Sequence, residues 1–404
     1  MAASAPGVAD ILADLIRIPS VNPMGRDVSG PEYYEKRLTD ALQQRFETLD
    51  LPWERQTVAP GRDNIHTWVA GTRPPEEGGG LVVFEVHQDT VPVDGMTVAP
   101  WEPTRDGDRI HGRGACDVKG GMACMLAAVE QIRDRHTPHM PTVVLACSVN
   151  EESGFTGAYA MADAWQHHGL TGIPRKPDAV IVAEPTSLDV VVAHKGVVRW
   201  RCASTGRAAH SSCPQNGVNA IYNMAPALIG LQAYQRSLGQ TEPHPTLGTP
   251  TLSVGTIRGG LSVNTVPDRC EIEIDVRLLP DVDPMSARQQ TLDWMAEHVP
   301  TARAFEHAPP FLAARGLSDQ HNQRLADLVA NVVKQHGHAG HQIGVPYATD
   351  AHAFAQLGIP TVVFGPGSVN QAHTVDEWVS VKQLEATVAI LVDTIAAFES
   401  RWNG

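Results

Sequence analysis

A chain of 404 residues, 42% hydrophobic and 19% charged, can bury a sizeable core and is long enough for two or three domains. Its formal net charge of −14 repels phosphate backbones and anionic lipid head groups, so nucleic acid and membrane partners are disfavoured. Asp10 and Asp14 interrupt any signal-peptide core, no apolar run reaches membrane-spanning length, and the six cysteines lack a Cys-x-x-Cys pair, so a soluble, cytoplasmic protein with reduced thiols is expected.

The first strong element is 81–87 (Leu-Val-Val-Phe-Glu-Val-His), a run that predicts a strand buried on both faces and ends in His87-Gln-Asp89. Gly-Arg-Gly-Ala-Cys-Asp117 follows, and then Met122, Met125, Leu126, Val129 and Ile132 recur at helical spacing. The run 142–149 predicts a second strand, which completes a strand-helix-strand unit and leads into Glu151-Glu152. Two further runs, 179–183 and 361–364, precede Glu184-Pro and Ala-His373-Thr. These elements predict an α/β domain with a mostly parallel sheet and helices on both faces.

From about residue 189 the period changes. Val190–Ser204 and Cys270–Leu278 alternate apolar with polar residues, and helical stretches fall near 219–238 and 284–298. The expectation is a compact α+β insertion of ferredoxin-like type over 189–304, with the first domain built from 1–188 and 305–404.

In an open α/β sheet, ligand-handling residues gather at the carboxyl ends of strands, so these distant side chains converge there. Zinc takes imidazole nitrogen and carboxylate oxygen, and a catalytic ion keeps one position open for water. His87, Asp117, Glu152, Glu184 and His373 would give each of two ions one His and one terminal Glu, with the Asp shared. Asp89, two residues beyond His87, is placed to accept the other ring N–H and fix its tautomer. Adjacent glutamates cannot both ligate in one direction, so Glu152 is assigned to metal and Glu151 to the general base.

Other motifs have plainer readings. Any one of these ligands alone would be read as a satisfied structural residue. His336-Gly-His338-Ala-Gly-His341 reads as a surface loop, and Cys116 as a packed thiol. Gly112-Arg-Gly114 is no dinucleotide loop, since the third glycine falls on Asp117. Ser211-Ser212 lacks a nucleophile elbow.

His-Gln-Asp-Thr-Val-Pro (87–92), Gly-Arg-Gly-Ala-Cys-Asp-Val-Lys-Gly-Gly (112–121), Glu-Glu-Ser-Gly (151–154), Ala-Glu-Pro-Thr (183–186), Ala-His-Ser-Ser (209–212) and Gly-Pro-Gly…Ala-His-Thr (365–374) resemble the co-catalytic zinc amidohydrolases. That metallopeptidase family includes acetylornithine deacetylase, succinyl-diaminopimelate desuccinylase, aminoacylase and glutamate carboxypeptidase. The resemblance implies a catalytic domain holding two zinc ions per subunit, with cobalt or manganese as substitutes, and an inserted dimerisation or lid domain. It implies His87 and Glu184 on one ion, Glu152 and His373 on the other, and Asp117 between them. It implies that His210 reaches the partner subunit's active site and stabilises the oxyanion, so that a homodimer is required. Asn264 and Arg277 match positions that hold substrate, Arg277 through a bidentate carboxylate pair. The turn Gly365-Pro366-Gly367 is read as presenting backbone N–H groups to that same carboxylate.

The family often has Met or Asp at Val118, a side chain that need not ligate. His194-Lys-Gly-Val and Ala-His-Ser-Ser-Cys-Pro depart from the desuccinylase pattern, so an acetylornithine-deacetylase-like hydrolase of N-acyl amino acids is expected. An exopeptidase, a desuccinylase and a non-catalytic ligand-binding descendant are the alternatives. A metal phosphoesterase finds little support in so acidic a chain.

Overall fold

The computed structural model describes residues 6–135, 139–167, 169–300 and 305–402, with the side chains of 399–402 excepted. The chain divides into two compact units: Met1–Val192, Asp319–Ile343 and Thr349–Gly404 form the first, and Ala193–Ser318 with Gly344–Ala348 the second. Of the boundary expected at 304 and 305, residue 304 lies outside the described residues. The strands Phe305–His307 and Leu312–Ala314 just beyond it pair with Gly196–Thr205, which carries the second unit on to Ser318. No helix among the described residues is long and apolar enough to cross a membrane.

The first unit is organised by an eight-stranded sheet in the order Trp53–Ala59, Arg62–Val69, Thr142–Ser148, Leu81–His87, Ala179–Val182, Thr361–Val363, Val190–His194, Gln342–Val345. Its centre is parallel, as the βαβ pattern predicts, from Thr142–Ser148 across to Thr361–Val363. Trp53–Ala59 and Arg62–Val69, and the contact between Thr361–Val363 and Val190–His194, add antiparallel pairings around the expected parallel centre. One flank is a hairpin turned by Pro60-Gly61, where Gly61 takes φ 76°. The other contains Val190–His194, expected in the insertion but wholly buried and antiparallel to Thr361–Val363.

Leu81–His87 and Thr142–Ser148 are buried at every residue, the state that β-branched and aliphatic runs reach when both sheet faces are covered. His87 pairs with Ser148, and Val182 with Glu85 and Val363, so the parallel strands finish at one edge. Lys119–Asp134 is the helix expected from the Met122–Ile132 spacing, and its buried residues include all five of those positions.

The second unit runs strand, helix, two strands, helix, strand, as a ferredoxin-like unit does. Its antiparallel sheet has the order Thr251–Gly259, Arg269–Leu278, Gly196–Thr205, Phe305–His307. Arg269–Leu278 alternates buried with half-buried residues, and its buried side joins Trp200, Met224, Leu231 and Met295 in one core. Both helices start where side chains can cap them. Asn219 accepts the N–H groups of Ile221 and Tyr222 ahead of Ala220–Leu238, and Asp283 those of Met285 and Ser286 ahead of Pro284–His298.

Candidate metal centre

Each expected ligand leaves the carboxyl edge of the central strands or the loops beside it. His87 Nε2 lies 3.2 Å from Asp117 Oδ1 and 3.9 Å from Glu184 Oε1. His373 Nε2 lies 3.3 Å from Asp117 Oδ2 and 3.3 Å from Glu152 Oε2. Asp117 thus turns one carboxylate oxygen to each imidazole. Ligand atoms bound at about 2.0–2.1 Å with tetrahedral angles stand roughly 3.3 Å apart, so these separations suit two cations sharing the aspartate. Among the described residues, the groups able to hold an ion are His87 with Glu151 and Glu184, and His87 with Asp117 and Glu152. Four carboxylates and two imidazoles converge here, with His87 buried and His373 half-exposed at the rim and in neither of those groups, a donor set suited to cations.

The same carboxylates favour protonation of the two imidazoles when no cation is bound. Burial works against a charged His87, yet Asp117, Glu151, Glu184 and Asp89 outweigh it and raise its pKa well above the usual imidazole range. Hydrogen bonds to Asp117 and Glu152 push His373 up to about 11. Burial alone would raise Asp117, but the two histidines lower it. Glu151 is held well above the carboxylate range, first by burial and then by Glu184, Asp350 and Glu152 against the opposing charge of His87. A raised carboxylate is suited to accepting a proton near neutral pH. Because Asp117 and Glu152 favour the protonated form of His373, ligation through Nε2 must release a proton. Apparent metal affinity is therefore expected to rise with pH through the neutral range in chelator competition; a flat profile would contradict ligation by this histidine.

The hydrogen bonds revise the role of Asp89. Its carboxylate Oδ1 stands 3.7 Å from His87 Nδ1, and its backbone carbonyl accepts that ring proton at 2.9 Å instead. The carboxylate accepts the backbone N–H groups of Glu151 at 3.1 Å and Glu152 at 3.2 Å, and Asn22 Nδ2 at 2.7 Å. It therefore anchors the turn that carries the base and one ligand.

Several supporting residues carry no signal in the sequence. Asn150 takes the left-handed conformation at φ 66° just before Glu151. Asn22 Nδ2 and Arg62 Nη1 donate to its Oδ1 at 3.0 and 2.9 Å, and its N–H donates to Glu35 Oε1 at 3.2 Å. Glu35 is fully buried and paired with Arg62. Arg62→Ala strands that carboxylate, which is expected to cost about 3–5 kcal/mol in urea unfolding; a loss below about 1 kcal/mol would show that the pair contributes no more than an exposed one. Glu85 and Asp350 are two further buried carboxylates beside the cluster, and Ser148 Oγ donates to Asp350 at 2.8 Å. Burial, reinforced by Asp350, holds Glu85 well above the carboxylate range.

Gly365 and Gly367 do not offer their N–H groups to a ligand. Gly365 N–H donates to Thr186 Oγ1 at 3.1 Å and Gly367 N–H to Gln383 Oε1 at 2.7 Å. Close packing explains the glycines better: a Cβ on Gly365 would lie 2.6 Å from the Glu184 carbonyl oxygen, and one on Gly367 2.5 Å from Cys116 Sγ.

His210, Asn264 and Arg277 belong to the second unit. His210 is exposed, and its Nδ1 accepts the Ser212 N–H at 3.2 Å, which leaves the ring proton of the neutral form on Nε2. Its strand pairs with Thr265–Val266, and Ser211 N–H donates to the Asn264 carbonyl at 2.9 Å. Arg277 Nε and Nη2 donate to Asp275 at 2.9 and 3.3 Å. His336 meets Asp393 at 3.0 Å, outside both possible metal groups. All six cysteines are free, and five, Cys116 among them, are buried.

Possible metal ligands at the carboxyl edge of the parallel strands, with an α+β unit inserted in the chain, point to a class of metal-dependent hydrolase, and sequence comparison gives the family. Residues 83–397 match Peptidase family M20/M25/M40, and the chain belongs to that family of metallopeptidases and related hydrolases. It is 31% identical to an acetylornithine deacetylase of Vibrio cholerae over 401 residues, 96% of this chain and 97% of that protein. The fold is similar to an M20 family metallo-carboxypeptidase from Sulfolobus solfataricus, with TM-score 0.78, 17% identity and coverage of 98% and 100% of the two chains. It is also similar to a dinuclear metal binding peptidase of the family from Bacillus subtilis, with TM-score 0.64, 17% identity and 96% coverage of each chain.

Proposed function

We propose that this protein hydrolyses the amide bond of an N-acyl amino acid, as an acetylornithine-deacetylase-like deacylase using two divalent cations, zinc foremost, with cobalt or manganese able to substitute. The observation that carries this reading is Asp117, whose two oxygens face His87 and His373 at 3.2 and 3.3 Å. His87 and Glu184 would hold one ion and Glu152 and His373 the other. Bound there, the cations would polarise the carbonyl and bring the pKa of water from 15.7 toward roughly 7. Glu151 takes the water's proton and delivers it to the leaving nitrogen. Asn264 and Arg277 hold the amino-acid portion, Arg277 through the guanidinium edge that Asp275 leaves free.

His210 of the partner subunit donates its Nε2 proton to the oxyanion in this reading, so the active form is a homodimer. The second unit supports that assembly. Thr251–Gly259 is an edge strand, and Ile257, Tyr222 and Ile229 on it and on the helix Ala220–Leu238 are 53%, 75% and 70% exposed. Mixing inactive Glu151→Gln and His210→Ala chains should restore activity in re-formed heterodimers. Six free cysteines agree with a cytoplasmic location.

The experiment that decides the reaction is a panel of N-acyl amino acids set beside dipeptides, assayed with the metal-reconstituted protein. Preferential cleavage of acetyl amino acids supports the deacylase, and the full-length likeness to acetylornithine deacetylases favours that outcome. Preferential cleavage of dipeptides would make the protein an exopeptidase, the reading that the similarity in fold to a carboxypeptidase favours. Failure to cleave either would leave a ligand-binding descendant.

A further inference from the structure

Glu377 lies four residues beyond His373 and has no exposed surface. Its Oε1 accepts the backbone N–H groups of Cys116 and Asp117, both at 2.9 Å. Its Oε2 accepts the backbone N–H of Gly114 at 3.0 Å and Arg113 Nη1 at 2.6 Å. Its own carbonyl accepts the Gly112 N–H at 3.1 Å. One carboxylate therefore gathers three main-chain donors from a segment some 260 residues away, and that segment ends on Asp117.

We propose that Glu377 is a positioning residue for the metal cluster: by clamping the main chain of Gly114–Asp117 to the segment that carries His373, it fixes the bridging aspartate against one of its two histidines before any cation binds. The inference rests on the reading of Asp117 as a bridging ligand. The physical reason is that a bridging carboxylate must serve two ions at once, so a shift of its backbone misplaces both bonds together. The loop is short of partners of its own, since the three N–H groups that Glu377 holds would otherwise point into a buried space. Capping those buried N–H groups stabilises the loop, and the same hydrogen bonds fix where the Asp117 backbone sits. Partners that orient ligands without touching the metal commonly change affinity or activity by about 10–100-fold.

The test has two arms. In the unaltered, metal-free chain, the amides of Gly114, Cys116 and Asp117 are expected to exchange hydrogen slowly and to change little when zinc is added. Free exchange until zinc arrives would overturn the proposal, because the metal and not Glu377 would then order the segment. In the second arm, Glu377→Gln places an amide NH2 where an acceptor is needed. It is expected to bind zinc about 10–100-fold more weakly in chelator competition, with an altered cobalt absorption spectrum and a nearly unchanged KM. Zinc affinity equal to the parent in a folded Glu377→Gln protein would also overturn the proposal, and if that variant does not fold, the exchange arm decides. A parent chain that binds no zinc would instead sink the metal reading itself.

Discussion

Glu151→Gln is expected to keep its metal and lose turnover by a factor of roughly a hundred or more, the usual contribution of a general base. The two side chains are nearly isosteric, and the backbone N–H at this position is held by Asp89 whichever is present. The turn carrying Glu152 therefore stays in place, and metal content by elemental analysis should match the parent. What changes is proton transfer. A carboxylate raised well above its usual range, chiefly by burial, can take a proton from bound water and give it up again, whereas an amide cannot. Because the loss is confined to the chemical step, kcat should fall and KM should move little. Near-parental kcat in a fully loaded Glu151→Gln protein would remove Glu151 from the mechanism. A loss of metal would make it a ligand instead.

The five proposed ligands are legible in the sequence because each follows a recognisable structural signal: an apolar run that ends at His87, Glu151-Glu152 or Glu184, a glycine-rich turn before Asp117, or Ala-His-Thr after the last such run. The insertion's helices are legible for the same kind of reason, since Asn219 and Asp283-Pro284 mark their starts. The residues that hold the ligands are not. Asn22, Glu35 and Arg62 are single polar side chains in ordinary surroundings, and their contacts with Asn150 span 88 to 128 residues. No local pattern records such a pairing. Asp89 shows how spacing misleads: two residues beyond His87 it does accept the ring proton, but with its carbonyl, because the two amides after Asn150 take its carboxylate. Gly365 and Gly367 resemble a donor turn in the sequence, but the backbone needs glycine there for close approach to Glu184 and Cys116.

Asp117→Asn tests the cluster more severely than any change at the base. Asparagine keeps the size and the backbone N–H that Glu377 accepts at 2.9 Å, so the loop remains folded. It has one oxygen where the aspartate has two, and the Nδ2 hydrogens that replace the other cannot ligate a cation. Whichever way the amide turns, either His87 or His373 faces a donor in place of a shared oxygen. The variant also removes one negative charge from a buried group whose acidity the two histidines already strengthen, so the attraction for both cations falls together. Metal content is expected to drop from two ions per chain to one or fewer, and activity by on the order of a hundred- to a thousandfold, the scale seen when a principal charge-stabilising group is taken from a site. Added metal should not restore it, because the missing element is a ligand atom and not occupancy. Two ions per chain with near-parental turnover in Asp117→Asn would show that the aspartate does not bridge, and the pairing of His87 with Glu184 and His373 with Glu152 would then have to stand without it.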